Sequence, residues 1–299
     1  MKFVSSAQLA PAVAEESVLR AVRAVDREFL RGVVQQISVP RHFCAQRENN
    51  RRVAEWITAQ LRLYGYQTQA QGRYANIVAT LNAPLRECEL LVGAHYDSVP
   101  HTPGADDNAS AVAALLACAK TVAEHAPAAP VCFVAFNCEE DGLLGSQDFV
   151  AEKAGELENL RQVHVLEMVG YCRREPDSQR APANLPLPIP HTGDFLAVLG
   201  DSNSRALVGE VLATAKTYTP ALPVFGLKLY AGVERFLPDL GRSDQEPFWG
   251  LQIPALMWTD TADFRNPHYH QPTDTPDTLD YDFLRRVAQL LVAQVLGST

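Results

Sequence analysis

Two short apolar runs constrain the fold more than any other feature of the sequence. Leu90–Ala94 leads directly into the letters HYDS, and Val131–Phe136 leads into NCEED. A short apolar run that ends at polar residues is typical of a strand covered on both faces. In open α/β sheets, ligands bind beyond the carboxyl ends of such strands. We therefore expect functional side chains to follow these two strands.

Helical and strand-like patterns alternate along the chain. Helical spacing covers about residues 17–36, with Ser17 as N-cap, and about 49–64, 107–122, 146–152, 202–216 and 281–296. Strand-like segments are 66–71, 75–81, 89–94, 131–136, 163–166, 195–199 and 253–258. The alternation predicts an α/β fold, a three-layer α/β/α sandwich with a mixed sheet that is parallel in its centre. We expect a single domain over residues 1–299, with the helices of residues 1–64 packed onto it.

Two segments lack a regular pattern. Residues 173–190 are rich in proline and charge, which predicts an excursion on the surface. Residues 218–248 are interrupted by glycine and proline, and we predict a long binding loop there.

Composition narrows the partners and the compartment. The net charge of −9 argues against nucleic acid and against an anionic membrane as partners. The six cysteines form no CxxC pair, and several lie inside apolar runs, which is typical of a reducing compartment. No stretch resembles a signal peptide or a membrane span. We expect a cytoplasmic protein that is a monomer or a small homo-oligomer.

Acidic residues and histidines follow four of the predicted strands. They are His95, Asp97, Asp107, Glu139, Glu140, Glu167 and His270. Imidazole and carboxylate together suit zinc, and less well manganese or cobalt. Adjacent Glu139 and Glu140 cannot both face one ion from an extended backbone, so one can be a ligand while its neighbour remains free as a base.

Five motifs in order carry a family resemblance. HYDS, GADDNAS, FNCEEDGLLGS, LEMVGY and NPHYHQPTDT resemble the motif set of the co-catalytic zinc aminopeptidases, over about residues 41–280. That family includes bacterial leucyl aminopeptidases, aminopeptidase S and glutamate carboxypeptidases, and the glutaminyl cyclases are its mono-zinc relatives. The resemblance implies a metallopeptidase of the exopeptidase type, which hydrolyses the N-terminal bond of peptides or dipeptides through a hydroxide that bridges two zinc ions.

The resemblance also implies a role for each matching residue. Asp107 would bridge the two ions, often with a cis peptide bond to the next residue, and Glu139 would be the general base. Asp97 would orient the ring of His95. The implied metal ligands are His95, Asp107, Glu140, Glu167 and His270.

In matching the family's motifs, one position requires a choice between two histidines, and two positions differ from the residues that many relatives have. His270 is preferred to His268 as the ligand, because the family's last histidine also stands four residues before the letters DT. Glu167 stands where many relatives have Asp. Residues 243–245 read SDQ where many relatives read Ser-Asp-His, so any role of that histidine is lost. Asp244 is a candidate for contact with the substrate amine, and a loop cap is the alternative.

Several residues in nearby loops are candidates for substrate contact. An apolar pocket for a side chain has five candidate wall residues, with the protein core as the alternative: Phe236, Phe248, Trp249, Phe264 and Tyr269. Arg265 is a candidate to meet a substrate carboxylate, and a salt bridge to Asp263 is the alternative.

Two other functions remain open from the sequence. One is a glutaminyl-cyclase-like acyltransferase, which would hold a single zinc ion and act on peptides that begin with Gln. The other is a non-catalytic binding relative. Such relatives typically lose ligands, whereas all five ligand positions of this chain hold competent groups.

Overall fold

A single mixed sheet of nine strands organises the computed structural model, which describes residues 1–181, 188–230 and 236–298. The strands are β1 (Lys2–Ser5), β2 (Gln67–Gln71), β3 (Asn76–Thr80), β4 (Leu90–His95), β5 (Val131–Phe136), β6 (Gln162–Glu167), β7 (Leu196–Gly200), β8 (Val224–Lys228) and β9 (Ala255–Thr259). Their order across the sheet is β1-β8-β7-β9-β6-β4-β5-β3-β2.

The centre of the sheet is parallel and both sides change direction. β5, β4, β6 and β9 run parallel to one another. On one side, β3 and β2 pair antiparallel; on the other, β7 runs antiparallel to β9, β8 is parallel to β7, and β1 closes the edge antiparallel to β8. The two apolar runs of the sequence form β4 and β5, and every residue of both strands is buried. The predicted mixed sheet with a parallel centre is confirmed.

Helices cover the sheet on its two faces. They are α1 (Glu16–Ala24), α2 (Arg27–Ile37), α3 (Arg47–Leu63), α4 (Ala111–His125), α5 (Leu144–Lys153), α6 (Arg205–Tyr218), α7 (Glu246–Gly250) and α8 (Tyr281–Gly297). Leu90 and Val92 of β4 belong to an apolar cluster with α4 and α8, whereas Leu91 belongs to a second cluster with Phe149 of α5 and Phe248 of α7. This alternation follows from the period of two in a strand, and it confirms the three-layer sandwich.

The N-terminal region differs from the prediction in one respect. The single helix predicted over residues 17–36 is two helices, because the side chain of Asp26 accepts hydrogen bonds from the backbone of Glu28 and Phe29 and caps α2. Glu15, not Ser17, precedes α1. Both helices share the apolar cluster of α4 and α8. The single-domain organisation stays a prediction.

Two strands, one short helix and one helix start differ from the prediction. β1 and α7 were not predicted, and both β8 and the start of α7 lie within the segment 218–248 that was expected to be irregular. α4 begins at Ala111, because Ala105–Ser110 form a separate irregular turn in front of it. Residues 182–187 and 231–235 of the two predicted irregular segments lie outside the described residues. Among the helices that the structure describes, none is long and apolar enough to cross a membrane.

Candidate metal centre

Side chains from five segments meet at the carboxyl edge of the parallel strands. His95 and Glu167 are the last residues of β4 and β6. Glu140 follows β5 by four residues, and Asp107 lies in the irregular turn before α4. His270 comes from the loop that follows β9. The parallel pairing therefore brings together residues that are up to 175 positions apart, from 95 to 270.

Asp107 lies between the two histidines. Its Oδ1 is 3.4 Å from Nε2 of His95, and its Oδ2 is 3.2 Å from Nε2 of His270. Nε2 of His95 also lies 3.4 Å from Oε2 of Glu167, and Nε2 of His270 lies 3.2 Å from Oε2 of Glu140. The five residues thus form two groups, each of one histidine and two carboxylates, which share Asp107.

These distances fit a tetrahedral metal ion. Two ligand atoms that are each about 2.05 Å from a tetrahedral zinc ion lie about 3.3 Å apart. The four donor pairs are separated by 3.2–3.4 Å, which is longer than an ordinary N–H···O hydrogen bond of about 2.9 Å. Nε2 of His95 is buried and has no hydrogen-bond partner within the described residues. Ligand atoms of His95, Asp107 and Glu140 lie within 4.8 Å of one another, as do those of His95, Glu139 and Glu167.

Asp97 contacts three parts of the centre at once. Its Oδ1 lies 3.3 Å from Nδ1 of His95 and accepts a hydrogen bond of 3.3 Å from the backbone N–H of Glu139. Its Oδ2 accepts one of 3.3 Å from the N–H of Glu140. The position suits the predicted orienting role toward His95. It also joins the ends of β4 and β5.

The electrostatics of the centre favour a bound cation. Burial and the neighbouring Asp107 carboxylate raise the pKa of Glu140 to about 7, and burial raises the pKa of Glu139 above its ordinary range. Burial lowers the pKa of His270, but its contacts with Asp107 and Glu140 outweigh burial and raise it to about 10. Crowded, desolvated carboxylates are costly without positive charge, which a divalent ion supplies.

Hydrogen bonds donated from both sides hold the Asp107 turn against the His270 loop. The carboxylate of Asp274 accepts hydrogen bonds from the backbone N–H of Asp106 (2.9 Å) and of Asp107 (3.1 Å). In return, Asp106 accepts a hydrogen bond of 2.7 Å from Nδ2 of Asn266. The peptide bond after Asp107 is cis, as the resemblance implies. The sequence marked Asp274 only as a landmark for His270 and did not reveal its contacts.

Two further supporting residues were missed. Arg41 is fully buried, and its guanidinium donates hydrogen bonds to the carbonyl oxygens of Tyr96 (2.6 Å) and Gly104 (2.9 Å), which connects the end of β4 to the Asp107 turn. Ser243 donates a hydrogen bond of 2.6 Å to Oε2 of Glu167. Ser243 stands in the SDQ triplet that the family comparison had singled out, whereas no spacing or motif marked Arg41.

A cavity of about 290 Å³ opens beside the centre. Glu139, Glu167 and His270 line one end of it, and three of the five candidate aromatic residues line its walls: Phe236, Phe264 and Tyr269. The ring of Tyr269 stacks on that of His270 with centroids 3.7 Å apart. An apolar cavity that adjoins polar, convergent side chains is the usual form of a ligand site.

Other candidates do not reach this cavity. Trp249 donates a hydrogen bond from Nε1 to the carbonyl of Ala255 and packs on the core, and Phe248 is fully buried in the core. Arg265 is buried: its Nε donates a hydrogen bond to Oε1 of Gln179, and its guanidinium lies over the ring of Phe195.

Three more side chains complete the placement of the candidates. Asp263, the alternative partner of Arg265, pairs instead with Arg242 at 3.1 Å. Asp244 is fully buried beside the centre and does not line the cavity, and burial raises its pKa to about 7. His268 stays outside the centre, with Nδ1 2.9 Å from Oγ1 of Thr273.

The arrangement defines a class of protein and then a family. Histidines and carboxylates at tetrahedral spacing beside a cavity are the arrangement of a metal-dependent hydrolase. Residues 76–295 match Peptidase family M28, and the chain belongs to this family. It is therefore a peptidase by class, and zinc is the metal that appears in the names of several relatives.

Relatives and solved structures agree with this family. The chain is 35% identical over 272 residues to uncharacterized protein YfbL of Escherichia coli, covering 84% of this chain and 81% of that protein. It is 28% identical over 256 residues to aminopeptidase YwaD of Bacillus subtilis, covering 84% of this chain but only 50% of YwaD. LapA aminopeptidase of Legionella pneumophila has the same fold, with a TM-score of 0.76 at 20% identity over 97% of this chain and 77% of LapA. Glutaminyl cyclase of Porphyromonas gingivalis also shares it, with a TM-score of 0.66 at 18% identity over 92% and 99% of the two chains.

Proposed function

We propose that the protein is an aminopeptidase that holds two zinc ions per chain and hydrolyses the N-terminal bond of peptides or dipeptides. The observation that carries this proposal is the position of Asp107, whose two carboxylate oxygens face two different histidines at 3.4 and 3.2 Å. A single-ion site needs no such carboxylate. Membership of a peptidase family and relatives named aminopeptidases support the same function.

The distances between donor atoms support one set of ligands for each ion. His95, Asp107 and Glu167 would hold one zinc ion, and His270, Asp107 and Glu140 would hold the other. Zinc supplies a Lewis acid and lowers the pKa of water to about 7, so that hydroxide is available at neutral pH.

The protein's own side chains then carry the proton transfers. The Glu139 carboxylate adjoins both His95 and Glu167 and also lines the cavity, so it can reach a water at the centre and a substrate in the cavity. It takes the proton of the attacking water and delivers it to the leaving amine. Asp97 fixes the ring of His95 through its Nδ1. The cavity receives the side chain of the N-terminal residue.

Metal content and substrate class test the proposal together. Elemental analysis of the purified chain is expected to give two zinc ions, with hydrolysis of aminoacyl and dipeptide substrates. His270→Ala should lose one ion and most activity, whereas His268→Ala, two residues away and outside the centre, should keep both. One ion per chain, together with cyclisation of peptides that begin with Gln, would contradict the aminopeptidase proposal and indicate a glutaminyl cyclase. Full metal occupancy with neither activity would indicate a binding relative.

A further inference from the structure

On the antiparallel side of the sheet, one face packs against short segments, the turn Pro238–Gly241 and Trp249 of α7. α6 packs on the other face of β8, where Val208 and Leu212 lie directly over Gly226. Because side chains alternate along a strand, Leu227 points to the opposite face. That face lines the cavity that begins at the metal centre.

Apolar side chains form a continuous row on this face. Register partners across β9, β7, β8 and β1 are Met257 with Leu199, Leu199 with Leu227, and Leu227 with Phe3. All four line the cavity, and we call this row the trough. A second row lies two residues away along the same strands, on the same face. It runs from Glu167 through Thr259 to Ala197 and joins the trough to the metal centre.

The trough is longer than the side chain of a common aliphatic residue. Its four strands span three strand spacings of about 4.8 Å each, or about 14 Å. The whole cavity of about 290 Å³ has the volume of roughly ten water molecules at about 30 Å³ each. Leucine places only four carbon atoms beyond its α-carbon, so it would fill a minor part of this space.

The opposite wall of the trough is also apolar. Leu237, Leu240 and Phe264 line the cavity above the row, and Leu227 packs with Leu240. At the far end, Phe3 stacks on Phe225 with ring centroids 5.1 Å apart. The cavity is therefore mostly apolar. Outside the metal centre its charged lining includes Arg242, which is paired with Asp239 and Asp263. The apolar row suits an apolar chain attached to the group that reacts.

We propose that the trough binds the side chain of the substrate's N-terminal residue and selects for long apolar side chains, with Phe3 setting the maximum length. This inference rests on the proposed aminopeptidase function and deepens it. The preferred substrate class is a peptide whose first residue has an apolar side chain larger than that of leucine, either aromatic or an extended alkyl chain.

A homologous series of substrates measures the depth of the trough. The series consists of coumarin amides of 2-aminobutyric acid, norleucine, 2-aminooctanoic acid, 2-aminodecanoic acid and 2-aminododecanoic acid. For the zinc-loaded protein we expect kcat/KM to rise roughly fourfold for each added methylene, because each buried methylene contributes about 0.8 kcal/mol, and to fall once the chain meets Phe3. A flat or falling profile beyond norleucine would overturn the proposal.

Variants on the two faces of β7 locate the effect. Leu199→Trp fills the middle of the trough, and it should lower the ratio of kcat/KM between 2-aminooctanoic acid and 2-aminobutyric acid at least tenfold. Phe3→Ala should move the maximum of the series to a longer chain. Val198→Ala alters the neighbouring residue on the α6 face and should leave the ratio unchanged. Equal loss on all substrates in Leu199→Trp would contradict the assignment.

A binding measurement separates this proposal from the proposed function. 1-Butylamine, 1-hexylamine and 1-octylamine carry the amine and the alkyl chain but cannot be hydrolysed. Calorimetry with the zinc-loaded protein should give a Kd that falls about 15-fold with each two carbons added. If the coumarin amides are not cleaved but the amines bind in this order, the proposed aminopeptidase function is wrong while the proposal that the trough binds apolar chains is supported. If the Kd does not depend on chain length, the proposal for the trough is wrong.

Discussion

At the scale of single residues, Glu139 is the side chain whose role can be tested most directly. It lies beside the donors without belonging to either shared group around Asp107. Glu139→Gln removes the proton acceptor but keeps the shape, so we expect kcat to fall by about 10²–10⁴ with zinc content unchanged. Steady-state kinetics and elemental analysis of the same preparation check this. Glu140→Gln is the matched control and should lose zinc as well. A Glu139→Gln variant with full activity would contradict the general-base role.

The same scale shows what the sequence could and could not reveal. The strand ends predicted that His95, Glu140, Glu167 and His270 would lie close together, because the topology brings distant residues together there. The choice of these four and Asp107 as the ligands came from the family resemblance. Supporting contacts such as that of Arg41 depend on carbonyl groups far away in sequence, and no local pattern encodes them. Trp249 and Arg265 were candidates because they lie near the motifs in sequence, but their side chains do not reach the cavity and instead donate hydrogen bonds to Ala255 and Gln179.

At the scale of elements, the loop that carries His270 is predicted to control metal affinity through Asp274. The two oxygens of this carboxylate each accept one backbone hydrogen bond from the Asp107 turn. An amide has only one acceptor oxygen, so Asn cannot replace both bonds in the same way. We expect Asp274→Asn to weaken zinc binding about 10–100-fold, the range usual for residues that orient ligands. Chelator competition measures this. Asp277→Asn, an exposed carboxylate in the same loop, is the control, and equal effects of both would contradict the role of Asp274.

The break between α1 and α2 gives a second prediction for an element. The periodicity of apolar residues continues through both helices, so the sequence suggested one helix, whereas the two hydrogen bonds to Asp26 begin a new one. Asp26→Ala should lower the free energy of unfolding by about 1 kcal/mol, as loss of an N-cap usually does. Urea denaturation checks this. Glu55→Ala removes an exposed ion pair with Arg51 in the interior of α3 and should change stability by less than about 0.5 kcal/mol.

At the scale of the whole molecule, His164 is predicted to make stability depend on pH. It is fully buried on β6, where its Nδ1 accepts a hydrogen bond of 3.1 Å from Nε1 of Trp258, and burial lowers its pKa to about 3. The unfolded chain takes up this proton near pH 6.5, but the folded chain does not. Stability should therefore fall as pH drops from 6.5 toward 3, by about 1.4 kcal/mol per pH unit from this group.

His164→Asn tests that dependence, because its side-chain oxygen can still accept the hydrogen bond from Trp258. Urea denaturation of metal-free protein at pH 7, 6 and 5 should show a shallower loss of stability in His164→Asn than in the unaltered chain. His191→Asn, at an exposed position, should keep the original slope. Identical slopes for all three proteins would show that His164 does not contribute.

The direction of β7 has a further consequence for the evolution and engineering of the enzyme. Because β7 runs antiparallel to β9, the segment that enters β7 reaches the catalytic edge, and the segment that leaves it does not. Ile189 and Phe195, just before β7, accordingly line the cavity. The five proposed ligands all lie outside the segment between β6 and β7. Insertions or substitutions in that segment can therefore change substrate preference without altering the five proposed ligands.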